Sequence, residues 1–385
     1  MDFKFNEDQQ ALGKLAGKIF AEHVTEKSLK AADAAATLAE GDSAAATGAG
    51  AWFNRKAWDE LARAGLVGIA IPEEHGGAGM GMIEVCLLLE QQGRAVAPLP
   101  LWQSLLAAAL PIARFGSPAL KARYLPSLAT GEAIFTAALS ELGPSDPARP
   151  QTRARRDGAG YVVDGVKVGV SALEHAARIV VPAALDDGVV LLLVDPAAPG
   201  VALERQGATT LEPQSRLTLS SVRVAAEEII GAPAEGARIV AWTVERVAAG
   251  LCAIELGVAQ RQLEMISEYV LRRQQFGKPI ALFQAVAQRA ADAYIDTEAI
   301  RLSLWQAAWR LASDLPATKE VATAKFWAAE GGARVAAAAQ HLHGGMGFDR
   351  SYPLHRYFLL AKQLELTLGG ANQWLSKLGD ALATD

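Results

Sequence analysis

The stretch Gly160-Tyr-Val-Val-Asp-Gly-Val-Lys-Val-Gly-Val170 lies near the middle of the 385-residue chain, and apolar residues alternate along it with polar or small ones. This alternation predicts strands with one buried face, and Asp164-Gly165 is the strongest short signal for a hairpin turn. The apolar run 189–194 predicts a fully buried strand, and the alternating run 216–224 predicts another. These patterns predict an antiparallel β domain in the middle of the chain.

On both sides of this segment, apolar residues recur three or four positions apart, which is the spacing of an amphipathic helix. Leu12 and Leu15 show the pattern before the β segment, and Leu251 and Ile254 show it after. The Ala- and Gly-rich stretch 31–51 has no packed apolar face, and it predicts an extended helix tip or a mobile loop.

The order of helices, sheet and helices predicts an α+β protein with helices on both sides of a sheet. We expect three domains: an N-terminal helical domain at residues 1–133, a middle antiparallel β domain at 134–231 and a C-terminal helical domain at 232–385. A chain of this length can bury a large cofactor.

The composition argues against several classes of protein. The net charge is −5 and the basic residues are scattered, which argues against a nucleic-acid partner. The longest apolar stretch, 99–115, is broken by Pro100, Gln103 and Pro111, so we expect no membrane insertion. The same charge pattern makes a small organic molecule the expected substrate. Both cysteines lie in apolar helical runs and the first residues lack a signal peptide, which predicts a cytoplasmic protein.

A series of local motifs runs along the whole chain in a fixed order. They are Ile71-Pro-Glu-Glu-His-Gly-Gly-Ala-Gly79, Thr136-Ala-Ala-Leu-Ser-Glu-Leu-Gly-Pro-Ser-Asp146, Gly165-Val-Lys167, Arg272-Arg-Gln-Gln-Phe-Gly-Lys-Pro-Ile280, Phe283-Gln284 and His343-Gly-Gly-Met-Gly-Phe348. In order and spacing this series resembles the acyl-CoA dehydrogenases. The resemblance implies that the C-terminal domain is a four-helix bundle and that FAD is the cofactor. It also implies the reaction, in which a carboxylate takes the α-proton of an acyl-CoA thioester while the β-hydrogen leaves as hydride to the flavin.

The residue that takes the α-proton has a different position from that in most of the family. The usual glutamate precedes a Gly-Thr pair in a segment that matches residues 361–372, where this chain has Leu368. Glu365 is three residues away and, on a helix, would point about 60° away from Leu368. The branched-chain and long-chain members instead carry a Glu-Arg pair on the first long helix of the C-terminal domain, and Glu245-Arg246 resembles that pair.

Glu245 is therefore the predicted catalytic base, although most glutamates on helices are solvated and pair with a neighbour. Arg246 would steady the carboxylate, contact the substrate or form a structural ion pair.

The same resemblance implies a set of cofactor-binding residues. They are Ser140, Ser145 and Ser171 as hydroxyl contacts, Arg273 and Phe276 near the pyrophosphate and adenosine across a subunit interface, and His341, Gly344 and Gly345 at the C-terminal glycine motif. Gly169 and Gly370 depart from the family, which has an aromatic residue and a threonine there. His341 and His343 form a His-x-His pair without a third ligand of suitable spacing, so no metal site is predicted.

Because two residues that usually contact the flavin are replaced by glycine, the chain resembles a subunit that shares its sites unequally with a paralogous chain. The assembly implied is a homotetramer or an α2β2 heterotetramer, with an electron-transferring flavoprotein as acceptor and a branched or steroid side-chain acyl-CoA as substrate. Two alternatives stay open: a non-catalytic or half-site partner subunit, and a flavin oxidase or hydroxylase of the same fold. The last class typically has Asp or His in place of the glutamate base.

Overall fold

Helices lie before and after a central sheet in the order that the sequence predicts. The computed structural model describes residues 4–40, 52–143, 146–158 and 160–384. The chain divides into a helical unit (Met1–Glu26, Met82–Ala97 and Ala248–Asp385) and a sheet unit (Lys27–Gly81 and Pro98–Val247). The three-domain division at residues 133/134 and 231/232 stays a prediction.

The elements follow in chain order. The helices are α1 (Glu7–His23), α2 (Glu26–Glu40), α3 (Arg55–Arg63), α4 (Met82–Ala95), α5 (Leu101–Ser104), α6 (Leu110–Phe115), α7 (Pro118–Ala129), α8 (Gly236–Arg272), α9 (Gln284–Ala312), α10 (Thr318–His343), α11 (Leu354–Leu366) and α12 (Ala371–Ala383). The strands are β1 (Ile134–Ala137), β2 (Arg153–Asp157), β3 (Gly160–Ser171), β4 (Ala176–Leu185), β5 (Gly188–Val194), β6 (Val201–Gln206), β7 (Gln214–Ala225), β8 (Gln274–Gln275) and β9 (Lys278–Pro279).

Close helix packing organises the helical unit. α4 and α8 approach so closely that a Cβ on Gly93 would overlap the carbonyl oxygen of Ile254, and one on Gly257 would overlap that of Glu90. α10 packs against α9, α11 and α12. Of the Ala- and Gly-rich stretch 31–51, residues up to Glu40 continue α2, and 41–51 lie outside the described residues. Within the described part of the chain, no helix is both long and apolar enough to cross a membrane.

Seven strands form the main sheet in the order β1-β4-β2-β3-β7-β6, with β5 paired to β4. The predicted β domain is confirmed, and the buried strand predicted at 189–194 matches β5. Most pairings are antiparallel, but β1 and β2 both pair with β4 in parallel. Parallel neighbours need a crossover connection, and β2 and β3 lie in the chain between β1 and β4.

The hairpin turn predicted at Asp164-Gly165 was wrong, because β3 runs through both residues. The register with β7 shifts between Val163 and Gly165, so a β-bulge lies where the turn was expected. Asp164 Oδ1 accepts the Ser221 N–H at 2.6 Å. A Cβ on Gly165 would lie 2.5 Å from Thr152 Oγ1, so glycine permits this close approach.

A buried ion pair between Glu141 and Lys167 joins the segments of the sheet unit. Lys167 Nζ donates to Glu141 Oε1 at 2.8 Å and to the Pro182 carbonyl at 3.0 Å. Glu141 also accepts the backbone N–H groups of Gln151 and Thr152. Burial alone would raise the pKa of Glu141, but these hydrogen bonds outweigh burial and hold the pKa at about 2.

The helical unit contains a buried carboxyl group whose pKa is raised, in contrast to the lowered pKa of Glu141. Glu255 on α8 is 1% exposed, and neither of its carboxyl oxygens has a hydrogen-bond partner in the described part of the chain. A Cβ on Gly332 of α10 would overlap Glu255, so the glycine leaves room for the carboxyl group. Burial raises the pKa of Glu255 well above its ordinary value, and the charge of Lys325 only partly opposes this. Burial therefore favours the neutral form of Glu255.

Replacement of Lys167 by Met should lower the free energy of unfolding by about 3–5 kcal/mol, because it leaves the Glu141 carboxylate buried without its cation. The matched control is Arg223→Met, since the ion pair of Arg223 with Asp157 is exposed. That variant should lose no more than about 1 kcal/mol. Urea unfolding at pH 7 measures both, and equal losses would contradict the structural role of the pair.

Glu255→Gln should stabilise the protein increasingly as pH rises. The raised pKa makes the folded state bind the proton more tightly, so wild-type stability falls as pH rises above the ordinary value of 4.5. Glutamine mimics the neutral acid and removes this loss, which gives a gain of about 1–3 kcal/mol by pH 8. Glu141→Gln should show the opposite sign, with a deficit that shrinks as pH falls from 4.5 toward 2. Urea unfolding between pH 5 and 8 tests Glu255, and a pH-independent difference from wild type would sink the idea.

Candidate active site

Helix α8 carries Glu245, the predicted base. The helix begins at Gly236, where a Cβ would overlap the carbonyl oxygen of Val189, so glycine lets it start against β5. Ile239, Val240 and Thr243 are buried at helical spacing on its inner face. Glu245 is half-buried in the turn that follows.

Arg246 is held by the tryptophan one turn before it. Its guanidinium carbon lies 3.6 Å from the centre of the Trp242 ring, and Nη1 donates to the Trp242 carbonyl at 3.1 Å. Trp242 in turn makes an edge contact with Phe115, with ring centres 5.0 Å apart. The arginine is buried, and this cation–π contact orients its side chain beside Glu245 in sequence.

The segment that carries the base in most relatives adopts a conformation that the sequence did not predict. α11 ends at Leu366, and Leu368 follows with a left-handed φ of 58°. Placing Glu365 and Leu368 on one helix was therefore wrong, because the helix stops between them. Glu365 forms an ion pair with Lys362, and the Leu368 carbonyl accepts the Trp374 indole N–H at 3.1 Å.

A buried lysine fixes the end of α11. Lys325 Nζ donates to the carbonyls of Leu364, Glu365 and Gly369 at 2.9, 3.3 and 3.4 Å. The last carbonyl groups of a helix have no intrahelical partner and carry partial negative charge, so a cation here satisfies both requirements. Sequence patterns did not single out Lys325, which lies in an Ala-rich helix without any local motif.

The three predicted hydroxyl residues have different environments. Ser140 is half-buried and its carbonyl accepts the Val168 N–H at 3.0 Å. Ser171 is buried at the end of β3, where its Oγ accepts a hydrogen bond from Gln103 Nε2 at 2.8 Å. Ser145 lies outside the described residues. In the sequence Gln103 stands out only as a polar residue within the apolar run 99–115, and this was the one local signal for it.

The two glycines that depart from the family pattern have backbone N–H groups that bind the chain's own side chains. The Gly169 N–H donates to Gln206 Oε1 at 2.9 Å, and the Gly370 N–H donates to Gln373 Oε1 at 3.1 Å. Gly169 has a φ of 62°, a conformation that favours glycine over an aromatic residue.

Arg273 and Phe276 lie on a short hairpin that follows α8. The sequence allowed a helix C-terminal cap here, but β8 and β9 pair around a turn at Phe276-Gly277. Both turn residues have positive φ, as in the tight turns that suit hairpins. Arg273 is exposed, and Phe276 is 91% exposed.

The two histidines of the His-x-His pair have separate environments. His341 is exposed, whereas His343 is buried, stacks on Tyr269 and contacts Ala339 O and Tyr352 Oη through its ring nitrogens. Burial lowers the pKa of His343 and favours the neutral ring. Within the described ranges, no three His, Cys, Asp or Glu side chains are grouped to hold a metal ion.

Gly344 and Gly345 are exposed, and among the described residues, their chain neighbours aside, no atom lies within 4 Å of a Cβ placed on either one. Backbone groups at such a position can approach a phosphate closely. With the exposed Arg273 and Phe276, these residues have the cation, the ring and the open backbone that an anionic dinucleotide requires, so the donor set fits FAD.

Comparison with known proteins identifies the family. The models of the N-terminal and C-terminal domains of acyl-CoA dehydrogenase match residues 6–132 and 234–379. Acyl-CoA dehydrogenase FadE27 of Mycobacterium tuberculosis is 40% identical over 340 residues, which cover 86% of this chain and 89% of that protein.

Two solved structures extend the similarity to the whole chain. A chain of the ChsE4-ChsE5 complex from Mycobacterium tuberculosis is 38% identical with a TM-score of 0.90, and the match covers all of both chains. A variant of the Tcur3481-Tcur3483 steroid ACAD is 40% identical with a TM-score of 0.88, and the match covers 98% of each chain. The chain therefore belongs to the acyl-CoA dehydrogenase family and is an acyl-CoA dehydrogenase, an oxidoreductase.

Proposed function

We propose that this chain carries out the FAD-dependent α,β-dehydrogenation of a branched or steroid side-chain acyl-CoA, with Glu245 as the base. The observation that carries the proposal is the combination of residue types at two positions, 368 and 245. Leu368 takes the place of the usual base and cannot accept a proton, while the half-buried Glu245 lies on α8 next to the stacked Arg246. Similarity to a protein named a steroid ACAD supports the bulky acyl group.

Glu245 would take the α-proton of the bound thioester. A general base needs a fixed position and partial shielding from water, and Glu245 is half-buried within the regular helix α8. FAD, when bound, supplies the acceptor for the β-hydrogen. Ser140 and Ser171 would contact its ring system, whereas Gly344 and Gly345 would admit the phosphates of the dinucleotide that Arg273 reaches. An electron-transferring flavoprotein would reoxidise the flavin, as the family resemblance implies.

Arg273 and Phe276 would contact the FAD of a neighbouring subunit. Both are exposed on the β8–β9 hairpin, and the bidentate guanidinium suits a pyrophosphate while the ring suits an adenosine. The similar chains come from the ChsE4-ChsE5 complex and the Tcur3481-Tcur3483 ACAD, each of which combines two different chains. An α2β2 heterotetramer with a paralogous chain is the assembly we propose here, in preference to a homotetramer.

A second function is favoured by Gly169 and Gly370. Their N–H groups bind Gln206 and Gln373, and neither residue has a side chain to contact a flavin. A chain of this kind could complete the FAD site of its partner through the exposed hairpin without holding a flavin of its own. In that arrangement the paralogous chain would carry out the chemistry.

Glu245→Gln should lower kcat by more than about a hundredfold, because the amide keeps the shape of the side chain but cannot accept the α-proton. Anaerobic bleaching of the flavin by a branched or steroid acyl-CoA measures the step. Glu235→Gln is the matched control, since Glu235 lies at the surface just before α8 and pairs with Arg238. Turnover of Glu245→Gln above a hundredth of wild type would show that this residue is not the base.

FAD content should depend on the partner chain and on Arg273. Purified alone, the chain should show little flavin absorbance, and co-expression with the paralogous chain should produce a yellow complex. In that complex Arg273→Gln should reduce bound FAD by about tenfold through loss of the charged contact. Arg272→Gln, the exposed neighbour, is the control and should retain FAD. A fully flavinated chain without any partner would contradict unequal sharing of the sites.

A further inference from the structure

A buried polar cluster in the sheet unit links α5 to the ends of β3 and β7. It consists of Gln103, Ser171 and Glu212, which are 1%, 5% and 8% exposed. Gln103 Nε2 donates to Ser171 Oγ at 2.8 Å and lies 3.4 Å from Glu212 Oε1. Buried polar groups are costly unless they are satisfied, so three of them around one amide need an explanation.

The neighbours of Gln103 determine which way its amide points. Both groups near Nε2, the Ser171 hydroxyl oxygen and the Glu212 carboxylate, accept hydrogen bonds. The opposite orientation would place Oε1 against the carboxylate, with two acceptors facing each other. The amide therefore donates toward Ser171, and Gln103 Oε1 has no partner within the described part of the chain.

This orientation decides the role of the Ser171 hydroxyl. A hydroxyl has one proton to donate and two lone pairs to accept with. Gln103 occupies one lone pair, so the proton must point elsewhere, and the described part of the chain offers it no acceptor. Ser171 is thus held as a donor with an unused proton.

The backbone around the cluster is fixed and strained. Thr136 Oγ1 donates to the Ser171 carbonyl at 2.7 Å, and Ser171 pairs with Gln214 of β7. Ala172 has a φ of 56°, and Leu211, next to Glu212, has a φ of 61°. Two residues with side chains in the left-handed region beside one cluster are the kind of strain that collects at functional sites.

We propose that Gln103 is a positioning residue that holds the Ser171 hydroxyl proton toward an acceptor atom of the bound flavin ring. The inference rests on the proposed function, which places Ser171 at the cofactor. Gln103 itself contacts no cofactor atom. It acts by occupying the lone pair that would otherwise let the hydroxyl rotate, so the donor is oriented before the cofactor binds.

A double-mutant cycle tests this role on the FAD-loaded protein, with its partner chain co-expressed. Gln103→Leu removes the amide at similar volume, and Ser171→Ala removes the hydroxyl. Each should shift the visible absorption maximum of the bound FAD, weaken FAD affinity and slow anaerobic bleaching by roughly tenfold, the scale of one net hydrogen bond. The double variant should be no worse than Ser171→Ala alone, because Gln103 acts only through that hydroxyl.

The control for loss of a buried amide is Gln262→Leu. Gln262 is also fully buried, and its amide atoms have no partner in the described ranges, but it lies on α8 in the helical unit. This variant should leave the FAD spectrum unchanged. Ser171→Thr, which keeps a hydroxyl, should retain most of the affinity and guards against variants that simply fold poorly.

Two results would overturn the inference, and they differ in meaning. If wild type bleaches but Gln103→Leu and Ser171→Ala have additive effects, Gln103 is structural and the proposed function stands. If wild type with its partner binds no FAD at all, the proposed function fails and this inference fails with it.

Discussion

The Glu141–Lys167 ion pair is the interaction on which the sheet unit depends. Its two charges have left water, so each is stable only because the other is present and because backbone donors and a carbonyl complete their hydrogen bonds. These bonds connect the segment after β1 to the bulged strand β3 and to the start of β2. Ser140 precedes Glu141 directly, and Ser171 lies at the far end of the same β3. The pair therefore lies in the framework that holds two of the three predicted hydroxyl contacts.

The two units use buried ionisable groups in opposite ways. In the sheet unit a carboxylate is kept charged by hydrogen bonds, which makes the strand positions specific. In the helical unit burial favours the neutral form of Glu255, and Lys325 donates mainly to backbone carbonyls at the end of α11. Both arrangements place a polar group where an apolar one would pack as well, so their value lies in fixing position rather than in adding stability.

Much of the fold follows from local pattern, and particular residues show where this ends. The buried strand at 189–194 and the helices after Glu235 were predictable because period and length are local properties. Asp164-Gly165 predicted a turn but marks a bulge, since the same residues suit both and only pairing with β7 decides between them. The Gln103–Ser171 contact joins residues 68 positions apart, a distance that no local pattern reveals. The family resemblance identified Ser171, but only the three-dimensional packing identified its partner.

Lys325 holds the end of α11 through backbone carbonyls, so these contacts do not depend on the side chain at position 368. Lys325 is buried, and its charge is compensated by the carbonyls of Leu364, Glu365 and Gly369, so the segment after the helix must keep its shape whatever side chain it carries. Leu368 meets that requirement in a left-handed conformation without offering a proton acceptor. The segment is thus constrained by the lysine rather than by the chemistry. The base that we propose, Glu245, lies on a different helix, so its position does not depend on these contacts.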